Sequence, residues 1–408
     1  MGTLWNVVRN EWMKLVRRRR LTVVAILGLC VVALFAFGEY HRLREAQNFN
    51  PVQIQQTAIA QMESERTQLA QSPPTAQRDA QLRDLDQAIA KAKADLAQTK
   101  ARTASPETWR QQAQAAIENA KQQLSQMPSG PALLPSQQAQ RASLQAEIME
   151  NQFRLQHHAP PVVWPQMNSW EETVSFLGVA AKTFIPLLVV VLVADIVAGE
   201  MTDGTIKLLV VRPVRRRTLL LGKWLVVTAA SALCSLVLCG LVWLAGILVL
   251  GTKGAMSPHW VGVTYQFVTS PDQPLAVTPV PDYTHAALLP VWQYLLYDSL
   301  WIAAAMVVVA SIAFFCSTIF KSAMVSTAVS MGAVVIGLVV TDMARHQGWV
   351  RWLFPTHLNL MSDWSGEAAL ALQHPVTLGL GVLVLVIWAV VLLAVSFIRF
   401  GRQDILNA

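Results

Sequence analysis

The sequence predicts an all-α integral membrane protein: six transmembrane helices, with a large extracellular, coiled-coil-like helical insertion between the first and the second. Three observations carry this. The 408 residues are 53% hydrophobic and only 14% charged, and a mean hydropathy of +0.39 is too apolar for a soluble chain of this length. Six apolar runs, Leu21–Gly38, Val174–Val197, Thr218–Leu250, Trp292–Ile319, Ala323–Thr341 and Val376–Phe397, each suit a bilayer crossing of about 20 residues. The stretch 39–172 between the first two runs contains no such segment and is rich in Gln and Ala.

Charge and cysteine content exclude other classes. A net charge of +7 and a pI near 9.4 would suit nucleic acid, but the basic residues cluster at predicted membrane boundaries rather than on one soluble face. All four cysteines (Cys30, Cys234, Cys239, Cys316) sit within apolar runs, so they read as small hydrophobes in helix packing, not as disulfides or metal ligands.

In chain order, residues 1–20 form an amphipathic cytosolic elbow helix. Leu4, Trp5, Val8, Trp12, Leu15 and Val16 recur near the helical period, and Arg9, Lys14 and Arg17–Arg20 supply charge. Leu21–Gly38 is longer than a signal-peptide core of about 7–15 residues and reads as the first retained span. The domain 39–172 nearly balances its basic and acidic residues. Leu82, Leu85, Ile89, Ala92 and Leu96 follow an a/d seam, with Trp109, Ala113, Ala116, Ala120 and Met127, and then Leu144, Ile148, Asn151 and Leu155, approximating it. Breaks at Ser72-Pro73-Pro74, Ser105-Pro106 and Met127–Pro131 divide it into antiparallel helices, one of them over 75–104. His157-His158 is poor metal bait, because adjacent helical residues point apart.

Residues 173–408 make the remaining membrane core, helices two to six. Within it, 251–290 is proline-rich (Pro258, Pro271, Pro274, Pro279, Pro281) and is expected to be extended or irregular. That loop holds one basic residue (Lys253) and 342–375 holds two (Arg345, Arg351), whereas 199–224 holds six (Lys207, Arg212, Arg215, Arg216, Arg217, Lys223) against Glu200 and Asp203. The bias places 199–224 and both termini in the cytoplasm of a plasma-membrane protein.

This cytosolic loop has internal structure. Thr205–Val211 is a short apolar piece that Pro213 terminates, restricting Arg212 before it, and a new helix starts at Thr218. A short amphipathic element between two spans suits docking into a groove on a soluble partner. At Glu200, Gly204-Thr205 and Arg212-Pro213 the sequence resembles the permease subunits of ABC exporters, the ABC type-2 membrane family. That resemblance implies that 199–224 receives the stroke of separate ATPase subunits, with ATP and Mg bound there and no cofactor on this chain. It also implies dimerisation with a second copy or a homologous permease, an elbow helix before the first span, and a segment near 342–375 that dips back into the membrane.

Further residues stand out within the spans. Asp298 is ionisable in a hydrocarbon setting, which marks a possible pathway position, although its closeness to the outer boundary offers it interfacial water. Ser322, Ser326 and Ser330 recur every four residues, a spacing that lets membrane helices pack closely. Asp195 and Lys182 read as snorkelling or capping residues. Catalysis is not expected: Thr205 stands where a phosphate-binding loop requires Lys, and neither HExxH nor GxSxG is present. The function expected is thus a permease subunit of an ATP-driven exporter, with an amphipathic or apolar cargo preferred. Its partners are ATPase subunits and membrane lipid, not nucleic acid. The alternative is a sensory or scaffold protein whose ectodomain binds a ligand or partner without transport.

Overall fold

A computed structural model describes residues 2–48, 51–71, 76–104, 108–128, 134–162, 166–204, 215–270 and 273–402. Among these residues, six helical segments are long and apolar enough to cross a membrane. An elbow helix α1 (Gly2–Arg17) precedes the first span, α2 (Arg19–Asn48). Four helices make the insertion: α3 (Pro51–Ala70), α4 (Ala76–Ala104), α5 (Trp109–Gln126) and α6 (Pro135–Gln156). The α2 helix runs ten residues past the apolar stretch that ends at Gly38, carrying the chain well clear of the bundle before the insertion begins.

The insertion is built from helix pairs, α3 against α4 and α5 against α6. On α4 the shielded positions of the central turns are Leu82, Leu85, Ile89, Ala92 and Leu96, and ion pairs Arg66–Asp86 and Lys93–Glu63 (2.7 Å) flank that face. Both α5 and α6 depart from the expected seam. On α5 Ile117 replaces Ala116 between Ala113 and Ala120, and on α6 the buried side chains are Ala142, Leu144, Ala146 and Phe153. The reason for α6 is that it packs on a second surface as well as on α5, which widens its buried face.

That second surface is the 258–290 segment, expected to be extended or irregular. It forms two antiparallel strand pairs: β1 (Pro258–Val261) with β4 (Ala287–Pro290), and β2 (Thr264–Ser270) with β3 (Gln273–Asp282). Two-stranded ladders leave every strand an edge, which accommodates prolines with no N–H to donate. Trp260 Nε1 donates to Glu150 of α6 at 2.5 Å, fastening the insertion to this loop.

The second span is not the continuous helix expected over 174–197. It comprises α7 (Ser169–Ala180), α8 (Phe184–Val193) and a single turn α9 (Ala198–Thr202), with interruptions at 181–183 and 194–197. The third, α10 (Arg216–Leu250), leads through the strands to α11 (Val291–Ile319), whose second half is buried almost all round, as its apolar sequence requires, while Trp292, Leu296, Tyr297 and Leu300 of its first turns stay exposed. The more peripheral α12 (Ala323–Met343) and α15 (Leu378–Arg402) complete the six. Between them, 3-10 turns at 350–352 and 354–357 and the short helices α13 (Leu360–Ser365) and α14 (Glu367–Leu372) fold back into the bundle. Phe354, Leu358 and Leu360 there join the main core.

Candidate functional site

The end of the bundle that carries α1 holds a buried network of four charges drawn from three elements. Lys223, in the second turn of α10, lies 2.7 Å from Glu11 of α1 and 2.8 Å from Glu200 of α9. Lys14 completes it at 2.8 Å from Glu11 and 3.3 Å from Glu200. Glu11, Lys223 and Glu200 are 1%, 2% and 6% exposed. Removing such charges from water is expensive unless each finds opposite charge and good geometry, and here each ammonium faces both carboxylates. Burial alone pushes the Glu11 carboxyl up, but Lys223 and Lys14 outweigh it and hold it below its ordinary value of 4.5. Burial likewise works against the charge on Lys14, yet Glu11 and Glu200 keep its ammonium above the ordinary 10.5.

Local structure explains why the network assembles. Glu11 shares a face of α1 with Val8 and Leu15 (i−3 and i+4), so burying that face buries the carboxylate. The α1 helix lies unusually close to α10: a Cβ on Gly222 would stand 2.6 Å from Val7 Cγ1. Next to it, Asp195 receives Arg18 at 3.3 Å and Arg20 at 3.0 Å, fixing the elbow to the second span a turn before α9.

The α9 turn is tied on its other side to the core. The backbone N–H groups of Val197 and Ala198 both donate to the Ser317 hydroxyl on α11, at 3.0 Å each. Thr202 accepts from the Ala323 N–H at 3.2 Å, and its hydroxyl lies 3.1 Å from the Lys321 carbonyl. A displacement of Glu200 therefore bears directly on α1, α10 and the junction of α11 with α12.

Of the residues singled out in the sequence, Glu200 lies in the network, and Gly204 ends the described part of the loop with φ +67. Thr205, Arg212 and Pro213 lie outside the described residues, as does Thr205–Val211. Ser326 donates to the Ala194 carbonyl of the second span at 2.5 Å, and Ser330 to the Ser326 carbonyl of its own helix at 2.7 Å; both are fully buried. Ser322 instead takes the N-cap position of α12, half-buried. Asp298 is 2% exposed, so it does not reach interfacial water. It stands on α11, remote in the chain from the charged network. Asp195 is an ion-pair acceptor rather than a cap or a snorkelling group, and Lys182 lines a cavity beside α7. No group of three metal-ligating side chains occurs among the described residues.

Glu11, Lys14 and Lys223 carry as much of this site as Glu200 does. A signal for them exists in the sequence: Glu11 is the one acid before Glu39, and it sits among the apolar positions of an otherwise basic helix. Lys223 likewise interrupts the apolar face that begins at Leu219 and Leu220.

Five apolar spans around a sixth, largely buried one, with a charged junction at one end, define a multi-pass membrane protein in which an elbow, a broken span and the core are mechanically joined. The chain belongs to the ABC-2 transporter family, since the model described as "ABC-2 family transporter protein" matches residues 5–405. It is also 25% identical over 289 residues to the uncharacterized protein YhcI of Bacillus subtilis (strain 168), spanning 66% of this chain and 83% of that protein. It is accordingly a transport-related permease subunit of the membrane. Such permeases are generally non-catalytic and typically work with ABC ATPase partners.

Proposed function

We propose that this chain is the permease subunit of an ATP-driven exporter, forming the pathway as a dimer with a second copy or a homologous permease. Separate ATPase subunits, which bind ATP and Mg, drive it through residues 199–224. The observation that carries this reading is the buried Glu11–Lys14–Glu200–Lys223 network. A subunit powered by a partner's conformational change needs a structured contact fixed to its membrane helices. Here Glu200 stands at the mouth of the loop, wired to three spans and the elbow. Gly204, at φ +67, allows the turn into the loop. The cargo preferred is amphipathic or apolar, in keeping with the apolar spans.

The test is ATP turnover and cargo export in vesicles containing both subunits. Glu200→Ala and Gly204→Val should each leave insertion and expression intact but lower transport per ATP hydrolysed by at least about tenfold, a coupling loss of about 1.4 kcal/mol. A Cβ at Gly204 meets nothing within 4 Å among the described residues, so the Val defect is expected from the positive φ rather than from a clash of the added Cβ. Gly204→Asn, which tolerates the left-handed region, should therefore retain coupling. Wild-type coupling in both Glu200→Ala and Gly204→Val would reduce the loop to a topological anchor and favour the sensor or scaffold alternative.

A further inference from the structure

At the opposite end of the bundle from the charged network, a cavity of about 460 Å³ lies where α7 gives way to α8, between the early turns of α11 and the short helices α13 and α14. Asp298 and Tyr294 reach it from α11, Lys182 from the break in the second span, and Asn359 and Glu367 from the re-entrant segment. Asp298 lines it and is 2% exposed. Its Oδ1 is buried and accepts no hydrogen bond among the described residues. Glu367 is exposed and adds a second carboxylate whose charge acts on Asp298.

An isolated carboxylate at membrane depth is costly, and a like charge beside it raises that cost. Two carboxylates converging on one cavity, one with an oxygen lacking any partner, form a receptor for a positive group. A bare metal ion is a poor occupant: calcium takes about 6–8 oxygen ligands, and the described residues hold no three-ligand cluster. An ammonium needs only a few acceptors and carries three donors of its own. Val174, Val179, Ala368 and Ala371 give the same cavity an apolar wall, suited to the carbon chain of an amine.

We propose that this cavity binds the ammonium group of an amphipathic primary amine, with Asp298 accepting its N–H donors and Glu367 drawing it in at the mouth. Lys182 limits the affinity by like-charge repulsion. The inference concerns binding alone and does not depend on how ATP hydrolysis is coupled.

The test uses the full chain in phosphatidylglycerol nanodiscs, titrated with dansylcadaverine and followed by fluorescence anisotropy. Its neutral N-acetyl derivative serves as the control. The free amine should bind and the acetylated one should not. Asp298→Asn should weaken binding by at least about tenfold, as expected for loss of a hydrogen bond to a charged group. Glu367→Gln should weaken it by about threefold, and Lys182→Gln should leave it unchanged or tighter, a sign that a merely structural role would not give. Equal binding of the acetylated derivative, or undiminished affinity in Asp298→Asn, overturns the proposal. Should Asp298→Asn not fold, undiminished affinity in the exposed Glu367→Gln variant overturns it instead. Repeating the titration in phosphatidylethanolamine nanodiscs separates two sources of the ammonium. Competition supports the site with a lipid headgroup as its occupant, and undiminished binding supports it with a soluble amine.

Discussion

At the scale of single residues, the network at the elbow is asymmetric, and this predicts unequal costs for its members. Lys223 is the shared partner: Glu200→Ala leaves it still paired with Glu11 at 2.7 Å, whereas Lys223→Met leaves two buried carboxylates facing the half-exposed Lys14. Glu200→Ala should therefore cost about 1–2 kcal/mol and Lys223→Met about 3–5 kcal/mol, read from thermal unfolding followed by tryptophan fluorescence. Equal costs would show that the charges act separately. Linkage adds a pH dependence. Glu11 is held below 4.5, so its contribution is present above that value and disappears as pH falls through the lower folded pKa. Lys14 is held above 10.5, so its contribution is present below that value and disappears as pH rises through the higher folded one. Attachment of α1 should then be unchanged from about pH 5 to 10 and loosen beyond either end, which protease sensitivity of the N-terminal segment would reveal. The sequence marks these residues only as anomalies, an acid in a basic helix and a lysine in an apolar run. Which acid meets which lysine depends on contacts up to 212 positions apart, and no local pattern encodes that.

At the scale of elements, the elbow is held as much by shape as by charge. Gly222 is the point of closest approach, and a methyl there would meet Val7 Cγ1 at 2.6 Å. Because Val7 is β-branched and stiff, it cannot simply swing aside. Gly222→Ala should cost about 1–3 kcal/mol through overpacking, and Val7→Ala in the same chain should recover most of it. Purely additive costs in that cycle would place the strain elsewhere. Apolar run length is what made the long helices legible in the sequence. Those runs located six spans, and the seam on α4 emerged because Leu82, Leu85, Ile89, Ala92 and Leu96 alternate with charged residues. The breaks in the second span were not read, although Lys182-Thr183 and Asp195 stand in them: a charge near the end of an apolar run reads equally as a snorkelling or capping group. What stabilises one of those breaks is the Ser317 hydroxyl, which serves the Val197 and Ala198 N–H groups from another helix. The strand pairs were hidden by prolines, which argue against central strands but not against edges.

At the scale of the whole molecule, six spans return both ends of the membrane core to one face, where α1, Glu200 and Lys223 meet, and leave the insertion and the strand pairs at the other. We propose that this face is cytoplasmic: Arg18, Arg20 and Lys223 stand at it, the sequence over 17–20 and 199–224 is rich in basic residues, and such an excess is retained inside. Cysteine labelling tests this in a background lacking Cys30, Cys234, Cys239 and Cys316. Ser125 on α5 and Arg217 at the start of α10 are both exposed, so a single cysteine at either position can react without unfolding its helix. In intact cells an impermeant maleimide should label Ser125→Cys and spare Arg217→Cys until the membrane is permeabilised. The reverse result would put the charged junction on the side without ATP, where no nucleotide-hydrolysing partner could push on Glu200, and the exporter reading would fall together with the orientation.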